Sequence, residues 1–427
     1  MNFSPEHQLL IDLSSEKLSR EELLQSIFSE NYSWDFFLQE TARHSVGPLI
    51  YGYIQKQQFE DILPPSVIQG LKKSYQQTGL QNLFLFNETK NIIEQLVQKK
   101  IDFILFKGSA LSQEIYGNAA LRPCSDVDML VKRESIEDVK KIFFASGFSF
   151  PDNLMHESFY YQNHFHLPFH KILKNTSVMI ELHWNLMDKY LLGATSIDEI
   201  WERKRPIHFE GIPAFGLSLE DELIYLALHT LKHGYMNQFI ASDPKYLPTF
   251  LAPAAENKVM WFVDLRKILE AKGSQINWNK LLARADRWGV LESIQCIYIL
   301  LNRLYPHLEI PKELLHPKRP IRISLPKRLL FKTILTRSNS SFIKEHLLKM
   351  KGDLQFRPIR MFDILEYMLP RFSTLSKIYH FQNPLLGIFY YPFHMVKTAV
   401  LGFYGLCQWL VFSLWKIKHA GHEHHDH

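Results

Sequence analysis

The sequence predicts an α+β protein in which a small mixed-sheet domain is embedded between mostly helical regions. Three observations lead there. From Leu9 to Lys100 the apolar residues recur mostly at helical spacing; at Ile101 short apolar runs punctuated by turns take over; beyond Leu219 the helical spacing returns.

Each element follows from local chemistry. The amino-terminal stretches WDFFLQETARHSVGPLIYGYI and LFLFNETKNIIEQLVQKK carry helical stripes, with Pro64 and Pro65 as a break between them. IDFILF is a short, partly β-branched strand ended by Lys107, Gly108 and Ser109, after which ALSQEIYG can form a helix. DVDMLV is the next strand, and RESIEDVKKIFFASG is a helix with a stripe at Ile136, Val139, Ile142 and Phe143 that stops at Gly147. His164 to Ile172 and Val178 to Leu186 read as paired strands joined by a turn at Lys174, Asn175 and Thr176. Helices follow in LEDELIYLALHTLKHG, KVMWFVDLRKILEAKG, NWNKLLARADRWG and LESIQCIYILLNRLY, each set off by Gly, Asn or Pro. The expected organisation is a helical region at 1–100, an α/β domain at 101–215, a helical bundle at 216–311, a basic linker and helical region at 312–383, a hydrophobic segment at 384–418 and a His-rich tail at 419–427.

Composition narrows the function classes. A chain of 427 residues is expected to build two or three cores. With 46% hydrophobic and 22% charged residues, disordered and low-complexity classes are excluded. A net charge of +5 is too small and dispersed to predict nucleic-acid binding. Cys124, Cys296 and Cys407 are too far apart for a disulfide framework or a cysteine-ligated zinc site, which fits a cytoplasmic compartment. No signal peptide is read at the amino terminus. Thr398 to Trp415 carries no charge and follows an aromatic FYYPFH lead-in. That run fits either a buried core helix or a peripheral or tail anchor at the inner face of a membrane.

The chemistry concentrates in the α/β segment. In a strand, residues i and i+2 share a face, so Asp126 and Asp128 point one way while Val127 points into the core. Paired like charges become favourable around a divalent cation, and hard oxygen ligands suit Mg²⁺ or Mn²⁺. Glu181, set in the apolar run SVMIELHWNL, is a third acidic group on a neighbouring strand, able to complete a metal cluster or to pair with a cation at an edge. Gly108 and Ser109 offer backbone N–H groups and a hydroxyl to a phosphate, and Lys107 adds positive charge; the same tripeptide also serves as an ordinary helix cap.

Strand, glycine-serine turn, Asp-apolar-Asp strand and later strand carboxylate together resemble the DNA polymerase beta-type nucleotidyltransferase superfamily. More closely, LFKGSALSQEIYGNAALRPCSDVDMLV and MIELHWNL resemble the bacterial family usually called uncharacterised nucleotidyltransferases, whose members often occur with surface-polysaccharide and peptide-modification genes. The resemblance runs from about Trp34 to about Pro311 and includes Glu220, Asp221, His229, His233 and Asp264 in the following helices. It implies that Gly108 and Ser109 bind the terminal phosphates of a nucleoside triphosphate and that Asp126, Asp128 and Glu181 are metal ligands and catalytic groups. The spacing from Ser109 to Asp126 is longer than in minimal superfamily members, a departure the closer family shares. The implied reaction is transfer of a nucleoside monophosphate onto a hydroxyl acceptor, with glycan, lipid-linked and peptide acceptors all in keeping with the family's context. Lys107 and Arg122 suit phosphate as a point charge and a bidentate fork, while Arg122 alternatively orients Asp126 or Asp128 through a salt bridge. A nucleotide-binding regulator or scaffold and a metal-dependent phosphotransferase or hydrolase remain the competing functions.

The histidines are more ambiguous. His164, His166 and His170 on one strand and His183 on the next offer imidazoles of the kind that hold Zn²⁺, but orienting the metal ligands from behind or binding the acceptor fits them as well. His229 and His233 lack the glutamate of an HExxH motif and are expected to pack or hydrogen-bond against Asp264. The closing HAGHEHHDH reads either as a metal-binding tract or as a solvated tail.

Overall fold

The computed structural model describes residues 3–317 apart from 152–156, 158–159, 162–163, 174–175, 188–196, 235–236, 244–246, 248–249 and 252–256; beyond 317 it describes Ile321, Pro392 and Val396. Apart from residues 312–317, 321, 392 and 396, the basic linker and the hydrophobic segment lie outside the described residues, as do Cys407 and the His-rich tail. No helix among the described residues is long and apolar enough to cross a membrane. Chain contacts separate residues 1–154 and 163–356 from a second unit of 155–162 and 357–427, and every element below belongs to the first.

The chain is mixed α and β, as expected. Helices α1 (Pro5–Ser15), α2 (Arg20–Ser29), α3 (Trp34–Arg43) and α4 (Gly47–Gln57) precede the 34-residue α5 (Pro65–Gln98). Their starts are set by local rules. Ser4 accepts from the His7 N–H, Ser19 and Glu22 form a reciprocal capping box, and Pro65 opens α5 where a missing N–H costs nothing.

Strand β1 (Phe103–Phe106) leads into a short helix α6 (Lys107–Leu111) and a π-helical turn (Ser112–Tyr116), then β2 (Val127–Val131) and α7 (Ile136–Ala145). β3 (His166–Leu173) and β4 (Thr176–His183) complete a four-stranded mixed sheet of order β1-β2-β4-β3. β1 and β2 run antiparallel, β2 and β4 parallel, β3 and β4 antiparallel. Compared with the expectation, His164 precedes its strand and Trp184 to Leu186 follow theirs. A second sheet, the hairpin β5 (Arg205–Phe209) and β6 (Ile212–Gly216), was not expected from the sequence. Its two-residue turn puts Glu210 and Gly211 at φ of +48° and +79°, the left-handed pair that a tight hairpin requires.

The sheet has two faces with different partners. On the back, Phe169 packs edge-on against Phe143 of α7, and Lys171 pairs with Glu88 of α5 at 2.7 Å. On the front, Phe106 meets Tyr225 of the helix Leu219–His233 edge-on at 5.1 Å. Ile104, Phe106 and Leu130 join that helix and the helices Val259–Lys272 and Leu291–Leu304 in a shared buried core. Phe103, Ile104, Leu105 and Phe106 are all buried, as are all five residues of β2, so the edge strand β1 and its neighbour β2 are covered on both faces.

Candidate active site

Register brings the acidic residues together on the front face. Asp128 pairs across β1 with Phe106 and across β4 with Glu181, and Leu130 pairs with His183. On the other side of β4, His166 pairs with His183. Because side chains alternate, Asp128, Glu181, His183 and His166 all project to one face, with Asp126 immediately before β2.

Lys107 closes the cluster from the β1 side. The backbone leaves β1 fully extended at Phe106 and turns at Lys107, whose φ of +65° is a costly conformation for a residue with a side chain. The turn sets Lys107 Nζ 3.2 Å from Asp128 Oδ1 and 4.0 Å from Asp126 Oδ2. Burial alone would lower the lysine's pKa, but attraction to Asp128 and Asp126 outweighs it and holds the ammonium protonated. Asp126 is pushed up to about 6, by burial first and then by repulsion from Asp128. The Asp128 Oδ2 atom is buried with no hydrogen-bond partner.

Glu181 has a different environment. Burial would raise its pKa, but His183, His166 and Lys107 more than offset that and hold it below the ordinary carboxylate range. His183 Nε2 lies 3.2 Å from Asp128 Oδ1 and 3.3 Å from Glu181 Oε2. Both are ion-pair distances, and His183 Nε2 makes no well-aligned hydrogen bond. Burial would depress the His183 pKa, and the two carboxylates reverse that and raise it. His166 stacks on His183 with ring centroids 4.8 Å apart, and burial and His183 push it down to about 4.

The glycine-serine turn follows Lys107 in the chain. Ser109 is fully buried and its Oγ has no partner. Gly108 faces the Arg122 guanidinium so closely that a Cβ there would lie 2.1 Å from Arg122 Nη1. Arg122 is itself buried, donating from Nε and Nη2 to the two oxygens of Asp264 and from Nη1 to the Pro123 carbonyl. Its salt bridge therefore goes to Asp264, in a helix 142 residues away, and not to Asp126 or Asp128. Tyr116 also donates to Asp264, at 2.6 Å. His229 and His233 pack their rings against Trp261, so the acid expected to meet them is bound by Arg122 and Tyr116.

The structure thus gathers Lys107, Asp126, Asp128 and Glu181 at one place, with Gly108 and Ser109 next to Lys107 in the chain and Arg122 against Gly108. Two participants carried weaker signals. His166 and His183 stood out only as histidines at strand spacing, and their meeting depends on the β3–β4 register. Asn82 of α5 carried no signal: its buried amide donates to the carbonyls of Ala119 and Arg122 and accepts from the Cys124 N–H, fixing the loop that delivers Asp126.

What this arrangement can do is hold divalent cations between hard oxygen donors, beside a lysine and a turn that fit phosphate. No curated protein matches the chain. A family model described as uncharacterised nucleotidyltransferase matches residues 30–306, a span that contains every residue of the site just described. The chain belongs to this nucleotidyltransferase family.

Proposed function

We propose that the protein is a Mg²⁺- or Mn²⁺-dependent nucleotidyltransferase that moves a nucleoside monophosphate from a nucleoside triphosphate onto a hydroxyl of a glycan, lipid-linked or peptide acceptor. The observation that carries this reading is the convergence of Asp126, Asp128 and Glu181 from two paired strands beside Lys107. These carboxylates fit divalent ions, because Asp128 Oδ2 is buried without a partner and Asp126 is short of compensating positive charge. Ions held there would neutralise charge on the transferring and leaving oxygens.

The chain's own groups do the rest. Lys107 supplies a point charge to the phosphates, Ser109 a buried hydroxyl with no other partner, and Gly108 a backbone N–H in a turn whose missing Cβ leaves room for the Arg122 guanidinium. Arg122, with its donors turned to Asp264 and Pro123, acts by holding that turn in place. In the reaction the acceptor oxygen forms a bond to the α-phosphorus, the bond from that phosphorus to the bridging oxygen breaks, and pyrophosphate leaves. The proton of the hydroxyl passes to a carboxylate of the cluster. A lipid-linked acceptor best suits the charge-free run from Thr398 to Trp415.

The test incubates purified protein, Mg²⁺ or Mn²⁺, and separated soluble and membrane extracts with α- or γ-labelled nucleoside triphosphates. Transfer of the α-label alone, lost in Asp126→Asn with Asp128→Asn, is the expected result. Transfer of the γ-label would instead make the protein a phosphotransferase, and nucleotide binding without transfer of either label would make it a regulator.

A further inference from the structure

The front face of the sheet adds two imidazoles, His166 and His183, to the carboxylates of the site, and oxygen-only chemistry leaves these nitrogens unused. His166, Glu181 and His183 each present one ligand atom, and these atoms lie within 4.8 Å of one another. His166 Nε2 is 3.8 Å from Glu181 Oε1 and His183 Nε2 is 3.3 Å from Glu181 Oε2. His183 is 1% exposed, and its Nε2 points into this cluster with no well-aligned hydrogen bond. Its other nitrogen, Nδ1, lies 3.3 Å from the Asn185 carbonyl. Donation from Nδ1 to a backbone carbonyl is the arrangement that turns Nε2 into a metal-binding lone pair and fixes the ring.

A similar trio elsewhere shows what a filled cluster looks like. His7, Glu40 and His44 are equally close. There, however, the Arg43 guanidinium bonds to Glu40, and His44 Nδ1 receives the Val259 N–H, so the carboxylate already has its cation and the histidine its partner. Around Glu181 the Lys107 ammonium is turned to Asp128 and Asp126, and the remaining partners are the two imidazoles themselves.

We infer that His166, Glu181 and His183, with Asp128 beside them, form a mixed nitrogen–oxygen site that binds a first-row transition dication such as Zn²⁺, Co²⁺ or Mn²⁺ in preference to Mg²⁺. Imidazole nitrogen binds these ions well, whereas Mg²⁺ demands oxygen ligands in octahedral array. The inference deepens the reading of the site given above and rests on it only for what the ion would do there, since binding depends on the ligands alone.

The experiment uses the full-length protein stripped by chelation, with Zn²⁺, Co²⁺ and Mg²⁺ as probes, read by calorimetry, by metal content after desalting and by the visible absorption of bound Co²⁺. The HAGHEHHDH end would also take transition ions, so the assignment rests on differences between full-length variants. Wild type should bind one more Zn²⁺ or Co²⁺ per chain than either His166→Ala or His183→Ala, or bind it at least about 10-fold more tightly. Asp126→Asn should keep that ion. His166→Ala guards against misfolding of the fully buried His183 variant, because His166 sits at the rim of the site. Equal metal content and affinity in wild type and His166→Ala, or equal affinity for Mg²⁺ and Zn²⁺, would overturn the inference. His-dependent metal binding without α-label transfer would uphold this site while removing the transfer reading. Transfer supported by Mg²⁺ with no His-dependent binding would do the reverse.

Discussion

Lys107 Nζ lies 3.2 Å from Asp128 Oδ1 while Lys107 itself holds a left-handed backbone, so one residue both turns the chain out of β1 and neutralises the most buried acid of the site. Asp128 is 1% exposed and cannot turn to water for compensation. Removing one member of a buried pair typically costs about 3–5 kcal/mol because the remaining charge is left uncompensated. Lys107→Met should therefore lower stability by about that amount in the presence of a chelator. Divalent ions bind the folded state and should recover more of this loss in the variant than they add to wild type. Thermal melts with and without Mn²⁺ check it; identical melts in chelator would show that the lysine does not balance these carboxylates.

Gly108 is required by what it touches. A methyl group placed there would meet the Arg122 guanidinium at 2.1 Å from Nη1 and 2.8 Å from Cζ, and that guanidinium is held on its far side by Asp264. Overpacking of this kind costs about 1–3 kcal/mol, and more if the buried ion pair breaks. Gly108→Ala should destabilise accordingly in wild type and cost less in an Arg122→Met background, where the obstructing group is gone. A double-mutant cycle by denaturant unfolding reads this coupling. Strict additivity would mean that the turn yields without disturbing the arginine.

How much of this was legible depended on range along the chain. Local patterns were readable: the change of texture at Ile101, the Asp126 and Asp128 spacing, and Glu181 as a charge within an apolar run all point to residues the fold brings together. The exact strand limits were less so, because the β3–β4 pairing and not the local sequence decides that His164 stays outside and His166 enters. The β5–β6 hairpin was missed because its alternation is short and its turn signal is a single Glu210–Gly211 pair. The partner of Arg122 was not readable at all, since nothing local distinguishes Asp264 in a distant helix from Asp126 or Asp128 nearby.

Asn82 illustrates a positioning role that a helical pattern hides. It is fully buried on α5, and its amide satisfies the Ala119 and Arg122 carbonyls and the Cys124 N–H, two residues before Asp126. Leaving such groups unmet costs about 1–3 kcal/mol each before any relaxation. Asn82→Ala should destabilise by about 2–4 kcal/mol. In an assay of label transfer it should lower kcat more than it raises KM, because the loop it fixes carries Asp126 and not the Gly108–Ser109 turn proposed to bind phosphate. An unchanged kcat in a correctly folded variant would confine Asn82 to stability.

Glu222 gives a pH signature away from the acidic cluster. The Arg205 guanidinium is shared between the buried Glu222 and the partly buried Glu114, which Lys272 also approaches at 3.9 Å. Burial above all, with repulsion from Glu114, pushes Glu222 up to about 7 despite Arg205. A carboxyl group whose folded pKa is raised contributes stability that is fully present below its ordinary value of 4.5 and is lost as the pH rises through about 7. At about 1.4 kcal/mol for each pH unit between the two values, the loss is about 3 kcal/mol. Glu222→Gln cannot ionise, so wild type should lose about 3 kcal/mol relative to this variant between pH 4.5 and pH 8. Urea unfolding of both proteins across that range measures the difference. A flat difference would mean that Glu222 is already ionised in the folded protein near pH 5, with Arg205 compensating it fully.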